Sequence, residues 1–388
     1  MTGKEKKEAP YEGFEQGPIR PPSEAASLLI RITRNCPWNR CTFCPVYKRR
    51  TFSLRPVSHV LKDIDTVGRH AEALRKLVKR SEGITRDAIE DLSERVPPEE
   101  RMAFNAALNW VPGGMSSIFL QDANSLIIKP ADMITILRHM KDRFPWVERI
   151  TSYARSHTIA RIEGDDLAAI REAGLGRIHI GMESGSDKVL ALVDKGVDKA
   201  THIEAGLKVK KAGMELSEYV MPGLGGVALS REHALETADA LNRIDADFIR
   251  LRTLAIPGDV QLFKDMSEGT FEKCNDRMMA EEILLFIESL EGVTGTLKSD
   301  HVLNLFEDVE GTFPQDKERM TGILRRFLGL PPEEQMLYQV GRRVGLFARL
   351  NHMSDVGRRS QAVNTCARLG VTPENVDGMV DEMMKRFI

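Results

Sequence analysis

The sequence predicts an α/β protein built on a parallel sheet. Two observations carry that expectation. Short apolar runs alternate with amphipathic helical patterns once Gly113-Gly114 has been passed, and two of those helices end on glycine just before the next run, at Glu172-Ala173-Gly174 and Lys211-Ala212-Gly213. The expected strands are 27–32, 117–120, 149–153, 177–181, 216–221 and 247–254. Six βα units in succession suit a partial (β/α)6 parallel barrel, whose active site lies at the C-terminal strand ends. An open doubly wound sheet would show the same pattern.

The remaining segments read differently. Residues 1–24 are polar and rich in Pro, Gly and Glu, as in a tail or a surface strap. In 56–112 the positions Val57, Val60, Leu61, Ile64, Val67, Ala71, Leu74 and Val78 follow helical spacing, and 86–94 and 98–110 read as further helices, making a mainly helical insertion. Beyond about Leu290 the strands are expected to stop, leaving helices at 316–328, 332–344 and 373–387 with Pro332 and Pro373 in first turns. The expected organisation is therefore a tail (1–24), a barrel (25–262) and a mainly helical C-terminal region (263–388).

At 388 residues and 42% hydrophobic content the chain can bury a large core. Its 55 basic and 57 acidic side chains give a net charge of −2, which supplies no global field for a polyanion; a nucleic-acid partner is not expected, though composition does not exclude one. No apolar run reaches the ~20 residues of a membrane span, and the charged start is followed by no apolar leader segment. Five cysteines, three of them within nine residues, are too few and too clustered for a disulfide framework. A reducing, cytoplasmic location is expected.

Cys36, Cys41 and Cys44 follow directly on the first expected strand. Thiolates in one short loop can converge on a cuboidal iron-sulfur cluster. A structural zinc site needs four ligands, and no further Cys or His lies at a local spacing; Cys274 and Cys366 are isolated. Three ligands leave one iron open to a small molecule's amino and carboxylate groups.

This loop, with Phe43 just before the third cysteine, resembles that of radical S-adenosylmethionine (radical SAM) enzymes. It departs in the first gap, where Cys36 and Cys41 enclose four residues and the common family spacing is three. Within the superfamily the segment Arg177 to Asp187 resembles relatives of the oxygen-independent coproporphyrinogen oxidases and methylthiotransferases. The resemblance runs from about residue 27 to 262. It implies a [4Fe-4S] cluster on Cys36, Cys41 and Cys44, and Phe43 beside the adenine of S-adenosylmethionine. Gln121, Asp122 and Asn124 fall at the second strand end, where the family recognises the methionine amino group, although the Gly-Gly-Glu often found there is absent. Glu183 and Ser184 become candidates for the ribose or methionine part, with Gly181 permitting close backbone approach to the ligand, and Ile256 for the adenine; Arg155, by its forked guanidinium, is a candidate partner for a carboxylate. The bland readings of these residues are loop polarity, a cap for the helix after Pro130, a Ser186 or Asp187 cap and a surface ion pair.

What the resemblance implies for function is an oxygen-sensitive enzyme of anaerobic chemistry. It would cleave S-adenosylmethionine reductively, take a hydrogen from a small organic substrate through a 5'-deoxyadenosyl radical, and draw electrons from a low-potential donor such as flavodoxin or ferredoxin. An iron-sulfur or haem carrier related to coproporphyrinogen oxidase, or a zinc-stabilised interaction protein, are the readings from other classes. No second cysteine cluster and no Asp-x-His-x-x-Gly cobalamin signature is visible. Beyond the barrel, His301 in Ser299-Asp300-His301 is the candidate catalytic acid or base, its ordinary pKa lying near neutrality.

Overall fold

The computed structural model describes residues 10–80 and 85–387; the first nine residues of the expected tail and the side chain of Val78 lie outside them. The fold is α/β with a mostly parallel sheet. The chain divides into two compact units, one comprising 1–37, 49–179 and 211–214, the other 38–48, 180–210 and 215–388.

In the first unit, β1 (Leu28–Arg31) leads into a small antiparallel pair, β2 (Thr33–Arg34) with β3 (Ser53–Leu54). β1 runs parallel to β4 (Ser117–Gln121), Leu28 opposite Ile118, and β4 runs parallel to β5 (Arg149–Ala154), Ser117 opposite Arg149. The expected insertion is helical, with α-helices Val57–Arg80, Arg86–Glu94 and Arg101–Trp110. Val60, Ile64, Val67, Ala71 and Leu74 are completely buried in a four-three repeat, so one stripe of the long helix packs on Arg101–Trp110 and Pro130–Arg143. Pro98 starts a 3-10 turn ahead of Arg101–Trp110 and is not part of that helix.

The polar N-terminal segment is a strap. Glu15 pairs with Arg31 at 3.1 Å, Arg34 at 2.5 Å and Arg55 at 2.7 Å, and Gly17 exchanges backbone bonds with the Gln121 amide. Tyr11 donates to Asp63 at 2.7 Å, and Phe14 is buried.

β6 (Leu175–Glu183) begins in the first unit and ends in the second. In the second unit β7 (Glu215–Val220) and β8 (Phe248–Leu251) are parallel, Ser217 opposite Phe248. The turns ahead of β6 and β7 take positive φ at Gly174 (126°) and Gly213 (75°), as the two glycine signals predict.

Three expectations need correction. Strands do not stop near Leu290: β9 (Thr296–Lys298) adds in parallel to β8, and β10 (Gly311–Thr312) pairs antiparallel with β9. Runs of three and two residues are too short to show a period. β8 ends at Leu251, not at Leu254, because the Asn304 side chain takes over the Leu251 carbonyl and the Thr253 N–H. The last helix is Val376–Met384, and Pro373 lies in the turn before it. The C-terminal helices close on Phe306, Phe327, Tyr338 and Phe347, whose rings meet at centroid distances of 5.0 to 6.1 Å.

Candidate active site

The cysteine loop is divided between the units, with Cys36 in the first and Cys41 and Cys44 in the second. Within the second, the loop is fixed by its backbone. Thr42 N–H donates to the Val193 carbonyl at 3.0 Å, and the Thr42 carbonyl accepts from Leu262 N–H at 3.0 Å. Lys48 Nζ reaches the carbonyls of Cys41 at 2.9 Å and Asn39 at 3.3 Å, and the Trp38 indole N–H donates to the Asp194 carbonyl at 2.7 Å. Cys41 and Phe43 are buried among Val189, Met221, Leu224 and Leu254, with Cys44 and Ile256 packed on the same cluster. Phe43 and Ile256, both expected beside an adenine, thus share one apolar surface at the ends of β7 and β8. Among the described residues no group of three or more His, Cys, Asp and Glu side chains stands arranged as a metal site.

Against this surface stands a charged set. Glu183 ends β6 with φ at 66° and pairs with Lys195 at 3.1 Å, both nearly buried. A Cβ on Gly181 would collide with the Glu183 carboxylate. The Lys195 ammonium lies 6.0 Å from the centre of the Phe43 ring. Glu218 on β7 is completely buried, and neither of its carboxylate oxygens has a hydrogen-bond partner among the described residues. Burial holds its pKa well above the usual carboxylate value; Lys195 opposes that shift and Glu183 adds to it. A carboxyl left so is costly to fold unless a ligand satisfies it.

Behind the strand ends, Ser184 and His233 are buried and 2.8 Å apart. His233 Nε2 lies 3.1 Å from the Met221 carbonyl, so it carries the proton and Nδ1 accepts from the serine hydroxyl. Glu282 binds the Gly223 N–H at 2.7 Å. Ser186 caps the helix Asp187–Leu192, one of the bland roles foreseen for it.

The description "Radical SAM superfamily" fits residues 30–239, more than half of the chain. The chain belongs to the radical SAM superfamily. A curated relative, 4'-phospho-dehydrooxetanocin synthase of Priestia megaterium, is 25% identical over 268 residues, 66% of this chain and 29% of that protein, so the chain spans under a third of its length. Among solved structures, the radical SAM enzyme coproporphyrinogen III oxidase from Escherichia coli is 14% identical over 68% of this chain and 52% of its own, at a TM-score of 0.44. Methylornithine synthase is 13% identical over 71% and 66%, at 0.42.

Other radical SAM candidates from the sequence lie in the first unit, where their side chains are engaged. Gln121 holds the strap, donating to the Gly17 and Ile19 carbonyls at 3.1 and 2.6 Å. Asp122 accepts from Arg31 at 2.7 Å and from Asn35 N–H at 3.2 Å. Asn124 donates to Thr158 at 2.8 Å and accepts from the backbone N–H of half-buried Arg155 at 3.1 Å. None of the three caps the helix Pro130–Arg143, whose N-cap Lys129 makes no side-chain bond. His301 lies in the second unit, beyond β9.

Two polar groups beside Glu183 escaped the sequence reading. Glu218 is an acidic residue inside the otherwise strand-like run Leu216 to Met221, and that misfit was the available signal. Lys195 sits in an ordinary polar turn, and nothing local distinguishes it.

Proposed function

We propose that this chain is a radical SAM enzyme in which Cys36, Cys41 and Cys44 hold one [4Fe-4S] cluster and S-adenosylmethionine binds against the Phe43–Ile256 surface. The observation that carries the reading is the three-cysteine loop inside the span that matches the superfamily. The donor set suits the group: three thiols for a cluster with one open iron, and an unsatisfied buried carboxyl beside a lysine for a polar, zwitterionic ligand. When bound, the cluster and S-adenosylmethionine together supply a 5'-deoxyadenosyl radical that abstracts hydrogen from a small organic substrate.

The chain's own residues do the rest. Lys195 offers an ammonium to the methionine carboxylate, while Glu183 and Glu218 offer acceptors to hydroxyl or ammonium groups. Gly181 and Ser184 let the backbone at the end of β6 approach the ligand, and Gln121, Asp122, Asn124 and Arg155 shape the second and third strand ends. Phe43 and Ile256 give the adenine an apolar seat and keep water from it. The electron donor would be a flavodoxin or ferredoxin of the cytoplasm.

Anaerobic reconstitution tests the reading. About four irons and four sulfides per chain are expected, with formation of 5'-deoxyadenosine from S-adenosylmethionine under dithionite. Stoichiometric zinc without iron-sulfur absorption would overturn it, and so would a full cluster that never cleaves S-adenosylmethionine.

A further inference from the structure

The segment after β9 is pinned to the end of β8. The Asn304 side chain accepts from Thr253 N–H at 2.9 Å and its hydroxyl at 3.0 Å, and donates to the Leu251 carbonyl at 2.8 Å and Ser299 Oγ at 3.1 Å. Arg342 donates to the carbonyls of Asn304 and Val302 at 3.2 and 3.4 Å, and Arg343 to that of Leu303 at 2.8 Å. Buried Arg250 is used up by Asp300 at 2.5 Å and Ser217 at 3.1 Å. Ser299 to Asn304 is therefore a pre-organised rim.

Two groups on that rim remain available, and both are donors. Arg252 is exposed, and its guanidinium makes no hydrogen bond or ion pair among the described residues. His301 accepts the Leu303 N–H on Nδ1 at 3.3 Å, which leaves the neutral ring's proton on Nε2, and Nε2 has no partner among the described residues. Burial first and the charge of Arg252 second hold the His301 pKa down at about 4, with Asp300 only partly offsetting them. Asp300, the acid nearest in sequence, is committed to Arg250. Asn304 fastens the His301 segment to the backbone of Leu251 and Thr253, the two chain neighbours of Arg252, so the guanidinium and the imidazole N–H belong to one rim, a donor pair complementary to an oxoanion.

We propose that Arg252 and His301 form a subsite that grips an oxoanionic group, phosphate or carboxylate, of the substrate. This rests on the reading of the chain as a radical SAM enzyme. It gives His301 a binding role as a neutral donor in place of acid catalysis.

The test is equilibrium dialysis of the reconstituted full chain against radiolabelled orthophosphate, with acetate as competitor. The parent should bind phosphate saturably at one site per chain. Arg252→Gln and His301→Phe should each weaken binding about tenfold or more, the value of one charge-assisted bond. His301→Gln, which keeps an N–H donor, should retain most of the affinity, and Arg243→Gln, which alters an exposed arginine paired with Asp239, should change nothing. Displacement by acetate extends the subsite to carboxylates; its absence assigns it to phosphate. Non-saturable binding, or equal binding by Arg252→Gln and the parent, overturns the proposal. Cluster content and 5'-deoxyadenosine formation by the same parent sample keep the two readings apart. A parent with both but no phosphate site defeats the subsite alone, and one lacking them defeats the enzyme reading.

Discussion

Trp38 and Gly196 are packed so closely that no side chain could stand between them: a Cβ on Gly196 would collide with the indole ring of Trp38. Gly196 also has φ at 68°, a conformation that costs other residues strain. With the Trp38 bond to the Asp194 carbonyl, this contact clamps the cysteine loop to the turn that carries Lys195.

Gly196→Ala should therefore act twice. Strain and overpacking together should cost about 2 kcal/mol of stability, read from the denaturant midpoint. S-adenosylmethionine affinity should fall with Lys195 displaced, while the iron content of reconstituted protein is retained. A variant as stable as the parent would mean that the indole moves aside at no cost.

Alanine at Cys36, Cys41 or Cys44 should each bring bound iron to background. Alanine at Cys274 or Cys366 should leave about four irons per chain. Both of these thiols are buried; burial, aided by Glu282, pushes Cys274 up to about 12, and burial raises Cys366. A thiol kept protonated is a poor ligand. Iron and sulfide assays decide, and loss of iron in Cys274→Ala would reassign the ligand set.

Glu218 makes stability depend on pH. Its carboxyl sits well above the ordinary value of 4.5, with burial the main cause. From pH 4.5 up to the raised value, the folded chain holds a proton that the unfolded chain releases, so raising the pH costs stability. Glu218→Gln removes this titration. Between pH 5 and pH 8 the parent should lose stability relative to the variant, as read by urea denaturation at both pH values. Identical pH dependence in the two chains would mean that Glu218 ionises freely when folded.

His301 has the opposite sign. Its cation is disfavoured, with the pKa lowered from 6.5 to about 4. As the pH falls through that window the unfolded chain takes up a proton that the folded chain refuses, and stability is lost. His301→Gln should reduce the loss between pH 6.5 and 4 by up to about 3 kcal/mol. Denaturation curves at the two pH values measure it, and an unchanged acid limb would put the ring in contact with water.

Much of this molecule can be read before folding it. The six main strands, the helical insertion and the glycine ends of two helices follow from periodicity and backbone freedom, which are local properties. The cysteine loop was legible because three thiols in nine residues are chemically conspicuous. What escaped was non-local. β9 owes its existence to an open edge on β8, and β8 its early end to a side chain 51 residues downstream of Thr253. The bonds of Gln121 to the N-terminal strap were equally out of reach, because Gly17 lies 104 residues away in sequence. Lys195 gained its interest only from Glu183 and Glu218.

The pairing of β9 with β8 bears on how this chain can be taken apart. A cut near residue 291, where the superfamily's motifs have long ended, would strip β8 of its neighbour and leave a row of bare backbone donors and acceptors. The fragment would be sticky for reasons unrelated to its chemistry. Swapping C-terminal regions between relatives to exchange substrates would have to transplant β9 along with the helices and match it to the edge of the host's β8.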